Sequence, residues 1–436
     1  MKKTILLLIG LCITVMAEAT SPNTISVAST AGGLSSAITT AGGTLGTVTN
    51  LTVTGTIDAR DFKTMHDNMP SLTVIDLSGA TIAAYTGTGG SYTPSSYSYP
   101  INQVPGFAFY NLRSLTSITI PTSATSIGNK PFDYCSALIT VSPSSLYFSS
   151  DNGVLFNKTK TTLIQFPYLT TSYIIPSTVT TIGANAFYDC DGLTSITIPT
   201  SVTTIGDGAF NECKGLTSVI LPSFLTTLGV SAFANCSGLT SMVFPPSLSS
   251  IGDDSFAFCV NLASITIPQG LTSIEAFAFY NCISLTSVNI PSSVTSIGGE
   301  VFLACTSLRS ITVHTSTPVN LTYSNDVFGS VMYCVLHVPV GSKSAYIAAM
   351  HWNELDIIAD VATKVNNATA SKVKVNTQNG QIIISGLPIG ETITICNLQG
   401  TAIYNQPANA ETIAVTLPAH GVYVVRVGGE SIKVLY

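Results

Sequence analysis

Between residues 193 and 313 apolar and hydroxyl side chains alternate in short bursts, each closed by a proline or a change of rhythm. In Leu193-Thr-Ser-Ile-Thr-Ile-Pro199, Ile196 and Ile198 alternate with Ser195 and Thr197. That period of two predicts a short β-strand with one buried face. Pro199 lacks an N–H and predicts where pairing stops; Pro222, Pro245, Pro268 and Pro291 repeat it. Ser201-Val-Thr-Thr-Ile-Gly206 follows, and Gly206, with Gly183, Gly229, Gly252 and Gly298 in the same place, predicts a tight turn. Ala209-Phe210-x-x-Cys213 is too short for a full helix and predicts a single helical turn with Phe210 packed inward.

The bursts keep a fixed beat. Phenylalanine returns every 23 residues at Phe187, Phe210, Phe233, Phe256, Phe279 and Phe302, and cysteine follows three residues later at Cys190, Cys213, Cys236, Cys259, Cys282 and Cys305. Phe109 and Phe132 share the step. Self-similarity at 20–29 residues is the mark of a solenoid, whose coils bury their apolar sides only by stacking. Stacking would join Ile196, Val219, Met242, Ile265, Val288 and Ile311 into one row, each side chain contributing roughly 1.5–3 kcal/mol. Coils about 4.8 Å apart would bring the cysteines within disulfide reach. One small apolar side chain in the same buried slot of every coil accounts for them better, so free thiols are expected. A column at this spacing does not converge as a zinc site must.

The flanks read as caps and as a second domain. Val48-Thr-Asn-Leu-Thr-Val-Thr-Gly55 and Leu72-Thr-Val-Ile-Asp-Leu-Ser-Gly79 are degenerate repeats, with charges at Asp58, Arg60, Asp61, Lys63 and His66 suited to a solvent-facing end. Residues 83–100, rich in Gly, Ser, Thr and Tyr, read as a loop. Leu336-His-Val-Pro-Val-Gly-Ser342, Tyr346 and Trp352 suit the other cap, with Trp352 as its plug. Residues 361–372 are polar and aperiodic, a linker. Beyond them short strands at 381–385, 392–395, 412–417, 422–427 and 431–434, punctuated by glycine, predict a small β-sandwich. The expected organisation is a signal peptide over 1–19, an N-terminal cap over 20–105, a solenoid with its C-terminal cap over 106–360, a linker over 361–372 and a sandwich over 373–436.

Composition narrows the partners. Only 9% of the 436 residues are charged, against about 25% in ordinary soluble domains. The net charge is −6 and no basic patch appears, which argues against nucleic acid or an anionic membrane as partner. Lys2-Lys3, the apolar run Ile5–Val15 and Ala17-Glu18-Ala19 read as a cleavable secretory signal, and no later segment is long and apolar enough to span a membrane.

Leu-x-x-Ile-x-Ile-Pro…Val-x-x-Ile-Gly…Ala-Phe-x-x-Cys resembles the BspA-like bacterial leucine-rich repeats over roughly residues 106–315. The Phe132-to-Phe187 step exceeds two repeats, and Asp151-Asn-Gly-Val-Leu-Phe-Asn157 with Thr162-Leu-Ile-Gln-Phe-Pro167 resembles that family's longer, hairpin-bearing repeat. The resemblance implies a leucine-rich-repeat solenoid, mainly β. It also implies attachment to a host matrix or cell-surface protein or glycan, or to other cells. Ile395-Cys-Asn-Leu-Gln-Gly400, Leu417-Pro-Ala-His-Gly-Val-Tyr-Val424 and Lys433-Val-Leu-Tyr436 resemble the C-terminal sorting domains of exported Bacteroidetes proteins, without the opening Pro-Asn-Pro or a final basic residue. An envelope or polysaccharide-associated scaffold in the periplasm is the alternative role.

Enzyme chemistry finds no foothold. His66, His314, His337, His351 and His420 form no H-E-x-x-H, and there is no P-loop or G-x-S-x-G. Asp253-Asp254 and Asp151-Asn-Gly153 read as turns before metal sites. No cofactor, metal or catalytic residue is expected. The candidate binding face is the outward side of the strands: Ser195, Thr197, Ser218, Ile220, Ser241, Val243, Ser264, Thr266, Ser287, Asn289, Ser310 and Thr312, a hydroxyl ladder with an apolar patch at Ile220 and Val243. It would form a neutral concave surface for protein or glycan.

Overall fold

The computed structural model describes residues 23–91, 97–135, 137–168, 170–321, 326–331, 333–361, 373–378, 381–387, 389–397, 402–417, 422–427 and 430–435. The signal-like segment and linker residues 362–372 lie outside the described residues, as do parts of the three motifs resembling a sorting domain. The chain forms two compact units, residues 1–362 and 363–436.

The first unit is a stack of coils whose strands pair in parallel, interrupted by an antiparallel hairpin. Thr24–Ser29, Asn50–Ile57, Val74–Ile82, Ser117–Thr119 and Leu138–Thr140 pair in that order. The face resumes with Ser195–Thr197 beside Ser218–Ile220, and then runs from Ser241–Val243 through Ser264–Thr266, Ser287–Ile290 and Ser310–Val313 to Val335–Pro339 and Asp356–Val361. A second ladder of two-residue strands, such as Thr204–Ile205 beside Thr227–Leu228, forms another side of each coil. The predicted apolar row is buried at Ile196, Met242, Ile265, Val288 and Ile311, and only half-buried at Val219. The longer repeat is a hairpin: Phe148–Asp151 pairs antiparallel with Val154–Asn157, which pairs with Thr162–Gln165. Asn152 and Gly153 take φ of 49° and 81° at its tip, as a two-residue hairpin turn requires.

The third side corrects an expectation. Ala-Phe-x-x-Cys is not a helical turn. Asn185, Phe187 and Asp189 donate their N–H groups to Asp207, Ala209 and Asn211 of the next coil at 2.9, 2.7 and 2.9 Å, whereas Ala186, Tyr188 and Cys190 donate within their own coil. Alternate N–H groups can face the neighbour only because the residues two before and two after each phenylalanine are left-handed, as at Asn185 (55°) and Asp189 (57°) or Ser231 (53°) and Asn235 (59°). A helix would direct every N–H along its own axis and leave nothing for the next coil. The repeating glycine is also reread. Gly206 has no positive φ; a Cβ there would lie 2.7 Å from Ala184 N, and at Gly298 2.4 Å from Ala276 N. Close approach of the stacked backbone, not turn geometry, demands glycine there.

Inside, the rings of Phe187, Phe210, Phe233, Phe256, Phe279 and Phe302 stack at 4.7–5.9 Å with interplanar angles of 4–16°. Phe166 and Phe328 extend the column, although neither keeps the 23-residue step. Trp352 closes it, 5.2 Å from Phe328, with Nε1 donating to Val319 O at 2.8 Å. The cysteines fill the neighbouring slot and do more than fill it. Cys213, Cys236, Cys259, Cys282 and Cys305 each place Sγ 2.9–3.2 Å from the carbonyl of the preceding coil's phenylalanine, Phe187 through Phe279. All nine cysteines among the described residues are unpaired and buried. Burial pushes the thiols of Cys213, Cys259 and Cys305 up to about 12. A thiol reagent at pH 8 should therefore leave the column untouched in native protein and label it on denaturation. Rapid native labelling in an Ellman assay would contradict this packing.

At the N-terminal end the charges are not all solvent-facing. Helix Ala59–Asn68 begins at a capping box in which Asp58 accepts from Arg60 N and Asp61 accepts from Asp58 N, both at 2.9 Å. Asp61 also accepts from Gly32 N and Leu34 N at the start of helix Leu34–Thr40, so both carboxylates are buried as structural acceptors. Within 83–100, expected as loop, Tyr85–Gly87 and Tyr97–Tyr99 pair antiparallel; residues 92–96 lie outside the described residues.

The second unit packs two antiparallel sheets. Lys374–Gln378, Gln381–Ser385 and Thr412–Val415 form one; Ala402–Pro407, Thr392–Asn397, Val422–Val427 and Glu430–Leu435 form the other. Ile382 and Ile384 from the first share a core with Ile393, Ile395 and Val425 from the second. Two of these strands, Lys374–Gln378 and Ala402–Pro407, are not read from the sequence.

Candidate binding face

The strand face aligns the predicted ladder residue by residue. Ser195 pairs with Ser218 and Thr197 with Ile220; Ser241 pairs with Ser264 and Val243 with Thr266. Ser264, Ser287 and Ser310 continue the first row, and Asn289 faces Thr312 in the second. These side chains are exposed from Ser195 to Asn289, while Ser310 and Thr312, toward the cap, are only half-exposed. Ile220 and Val243 stand 57% and 65% exposed, an apolar island between Thr197 and Thr266.

The hydroxyls of this protein fall into two classes. One residue before the strand, Thr217 Oγ1 donates to Thr194 O and Thr286 Oγ1 to Ala263 O. On the short-strand side Thr226, Thr272 and Thr295 donate likewise to Thr203, Ser249 and Thr272 of the preceding coil. These hydroxyls stitch coils together. On the candidate face, the hydroxyls of Ser195, Thr197, Ser218, Ser241, Ser264, Thr266, Ser287, Ser310 and Thr312 make no hydrogen bond among the described residues; only Asn289 is engaged, its Oδ1 2.7 Å from His314 Nε2. A row of donors and acceptors without structural duty, one per coil, can be read by a ligand. Alternation along the strand reveals the exposed row, but not which neighbouring hydroxyls reach a carbonyl.

A second concentration of functional side chains was not anticipated. Tyr110, Tyr134 and Tyr188 form an edge-to-face series at 5.4 and 5.7 Å on the turn side. Lys130 Nζ lies 4.1 Å over the Tyr188 ring and 3.7 Å from Asp133. Asp133 and Asp189 are almost fully buried, and burial raises each carboxyl to about 6. The only sequence signal is that so many of the repeat region's few charges fall between 113 and 214. Among the described residues no three His, Cys, Asp or Glu side chains converge as a metal centre requires, Asp254 occupies a left-handed turn position, and no helix is long and apolar enough to cross a membrane.

Comparison with known proteins agrees with this architecture. The sequence model of the BspA type leucine rich repeat region matches residues 91–174, 168–274 and 231–339, more than half of the chain. A domain of unknown function, DUF6383, matches residues 362–436. Among solved structures, a leucine-rich repeat protein from Eubacterium ventriosum is 26% identical over 58% of this chain and 75% of its own, with a TM-score of 0.44. A leucine rich cell surface protein from Faecalibacterium prausnitzii is 26% identical over 62% of this chain and 73% of its own, with a TM-score of 0.39. The pneumococcal vaccine antigen PcpA is 19% identical over 72% and 68%, with a TM-score of 0.44. At these TM-scores the likenesses carry no weight of their own. No curated protein matches. The repeating turn, the stacked phenylalanines and the sequence match over most of the repeat region meet in one assignment: the chain belongs to the BspA-type leucine-rich repeat family.

Proposed function

We propose that this is an exported, surface-displayed binding protein whose strand face attaches the cell to a host matrix or cell-surface protein or glycan, or to other cells. The observation that carries the reading is the ladder of hydroxyls that take no part in stitching the coils, running beside the Ile220–Val243 island. Partly apolar, uncharged faces suit partners recognised by shape and hydrogen bonding, so affinity should change little with salt. The C-terminal sandwich would serve as the sorting signal that brings the array to the surface.

Two experiments test this. Protease treatment of intact cells should remove the repeat region while a periplasmic marker survives, and deletion of residues 373–436 should protect it. Protection of the full-length protein would instead support the periplasmic scaffold. Cells carrying Ile220→Asp with Val243→Asp should lose adherence to a basement-membrane coating about tenfold or more, because a charge is left unpaired at the centre of the contact. Both residues are exposed, so folding should be unchanged. Undiminished adherence would move the binding off this face.

A further inference from the structure

Among the described residues between the first turn and the C-terminal cap, the ladder of turns is broken at the hairpin. In the coil before the hairpin, Phe107, Phe109 and Asn111 donate to Asn129, Pro131 and Asp133. In the coil after it, Asn185, Phe187 and Asp189 donate to the next. Between them the N–H groups of Lys130, Phe132 and Tyr134, which occupy the same alternate positions, have no hydrogen-bond acceptor among the described residues. The ladder resumes at the hairpin coil, where Phe166 N donates forward to Ala186 O at 2.7 Å, so the break lies between the Phe132 turn and the hairpin coil. Cys190, the first thiol after the hairpin, lies 3.8 Å from its own coil's Tyr188 O. The hydrophobic core divides here as well, one cluster ending at Leu155 and the other beginning at Val154.

The seam is hollow. A cavity of about 280 Å³ is lined by Ile127, Lys130, Pro131, Ile164, Gln165 and Asn185. It shares Ile127, Gly128 and Asn129 with a second lobe of about 400 Å³ that carries Tyr97, Tyr99, Gln103 and Phe107. Of these donors, Lys130 N–H belongs to a residue of the cavity lining, and an acceptor on whatever fills the cavity would satisfy it. The one charged lining residue, Lys130, has its ammonium engaged by Asp133 at 3.7 Å and by the Tyr188 ring at 4.1 Å, which disfavours an anion. A row of N–H groups disfavours a cation. Asn185 Nδ2 donates to Asn129 Oδ1 at 3.4 Å and the hydroxyls of Tyr134 and Tyr188 lie 3.1 Å apart, so side chains bridge the seam on both sides and no extended polymer can thread it. A short, neutral, acceptor-rich ligand with an apolar edge remains.

We propose that this seam binds an N-acetylated sugar, its acetamido carbonyl accepting from the backbone N–H of Lys130, its methyl against Ile127 and Ile164, and its ring reaching the amide and aromatic side chains of the second lobe. The site is separate from the hydroxyl ladder and does not depend on it. Apolar Ile127, Pro131 and Ile164 beside the amides of Asn129, Gln165 and Asn185 give the mixed lining that small-ligand sites use to fix orientation, and a single sugar should bind in about the millimolar range.

Hydrogen exchange of the full-length protein, read by mass spectrometry with N-acetylglucosamine and with glucose, tests it. N-acetylglucosamine should slow exchange across residues 128–135, and glucose should do so far less. Ala184→Trp, at an exposed position on the cavity rim, should abolish the protection without changing the thermal midpoint; if that variant misfolds, Asn129→Ala should weaken it several-fold. Unchanged exchange at millimolar sugar would mean that water alone fills the seam, and equal protection by glucose would remove the acetamido assignment; either overturns the proposal. The Ile220→Asp, Val243→Asp variant should keep the sugar response, which separates this site from the adhesive face.

Discussion

Replacing Phe233 with alanine should destabilise the solenoid by about 3–5 kcal/mol, the range for deleting a buried aromatic ring. Phe233 has no exposed surface and stacks on Phe210 at 4.9 Å and on Phe256 at 5.4 Å, both rings nearly parallel to it. The loss extends beyond one coil. Each coil is held by its neighbours, so a weakened interface in mid-array lowers the cooperativity that joins the two halves. In denaturant unfolding the expected result is an earlier and broader transition for the repeat unit, separating toward two steps. The second unit has its own core and should keep its transition. Phe258→Ala is the control: Phe258 lies two residues after a column phenylalanine, is 42% exposed and packs edge-to-face on Tyr280 at 5.1 Å, so its loss should cost well under half as much. Equal losses in the two variants would mean that the column does not hold the stack.

The contrast between these two phenylalanines marks what could be read from the chain. The 23-residue beat identified Phe233 as inward-facing and the alternation identified Ser218 and Ser264 as outward-facing, because periodicity reports which side of the coil a residue occupies. Features that depend on the next coil were not legible. Gly206 is required by the distance to Ala184, 22 residues away, and a turn needing positive φ would leave the same mark in the sequence. Ala-Phe-x-x-Cys carries no sign that its N–H groups alternate between two coils, since asparagine, glutamate and phenylalanine all serve at the left-handed position (Asn235, Glu212, Phe258). Phe166 and Phe328 joined the column unseen because the hairpin and the cap shift them off the beat. The charges at Asp58 and Asp61 were assigned to solvent by residue type, whereas helix capping gives a carboxylate a reason to be buried. The seam beside Lys130 is the same lesson in reverse: an added hairpin is visible in the sequence, but the donors it leaves without acceptors exist only in the stack.

Asp133 should respond to pH in a way that reverses the usual effect of losing a charge. Its two carboxylate oxygens are buried with no hydrogen-bond donor, and its nearest cation, Lys130 Nζ, is 3.7 Å away. Burial raises the carboxyl to about 6 from an ordinary 3.8, with Lys130 opposing the rise and Asp189 adding to it. The folded state thus holds this proton more tightly than the unfolded chain. Its contribution is fully present below about pH 4 and is lost as pH rises through about 6. A rise from 3.8 to about 6 corresponds to about 3 kcal/mol. Asp133→Asn should therefore match the parent protein near pH 4 and exceed it by about 2–3 kcal/mol at pH 8, with the difference growing between those limits. Asp189→Asn should show the same direction, since burial first, with the neighbouring Asp191 and Glu212, raises that carboxyl also to about 6 against the opposition of Lys214 and Arg113. Denaturant unfolding at pH 4, 6 and 8 reads the difference directly. If Asp133→Asn were the less stable protein at pH 8, the contact with Lys130 would outweigh the cost of burying the carboxylate, and the turn whose backbone ladder is missing would be held by an ion pair within itself.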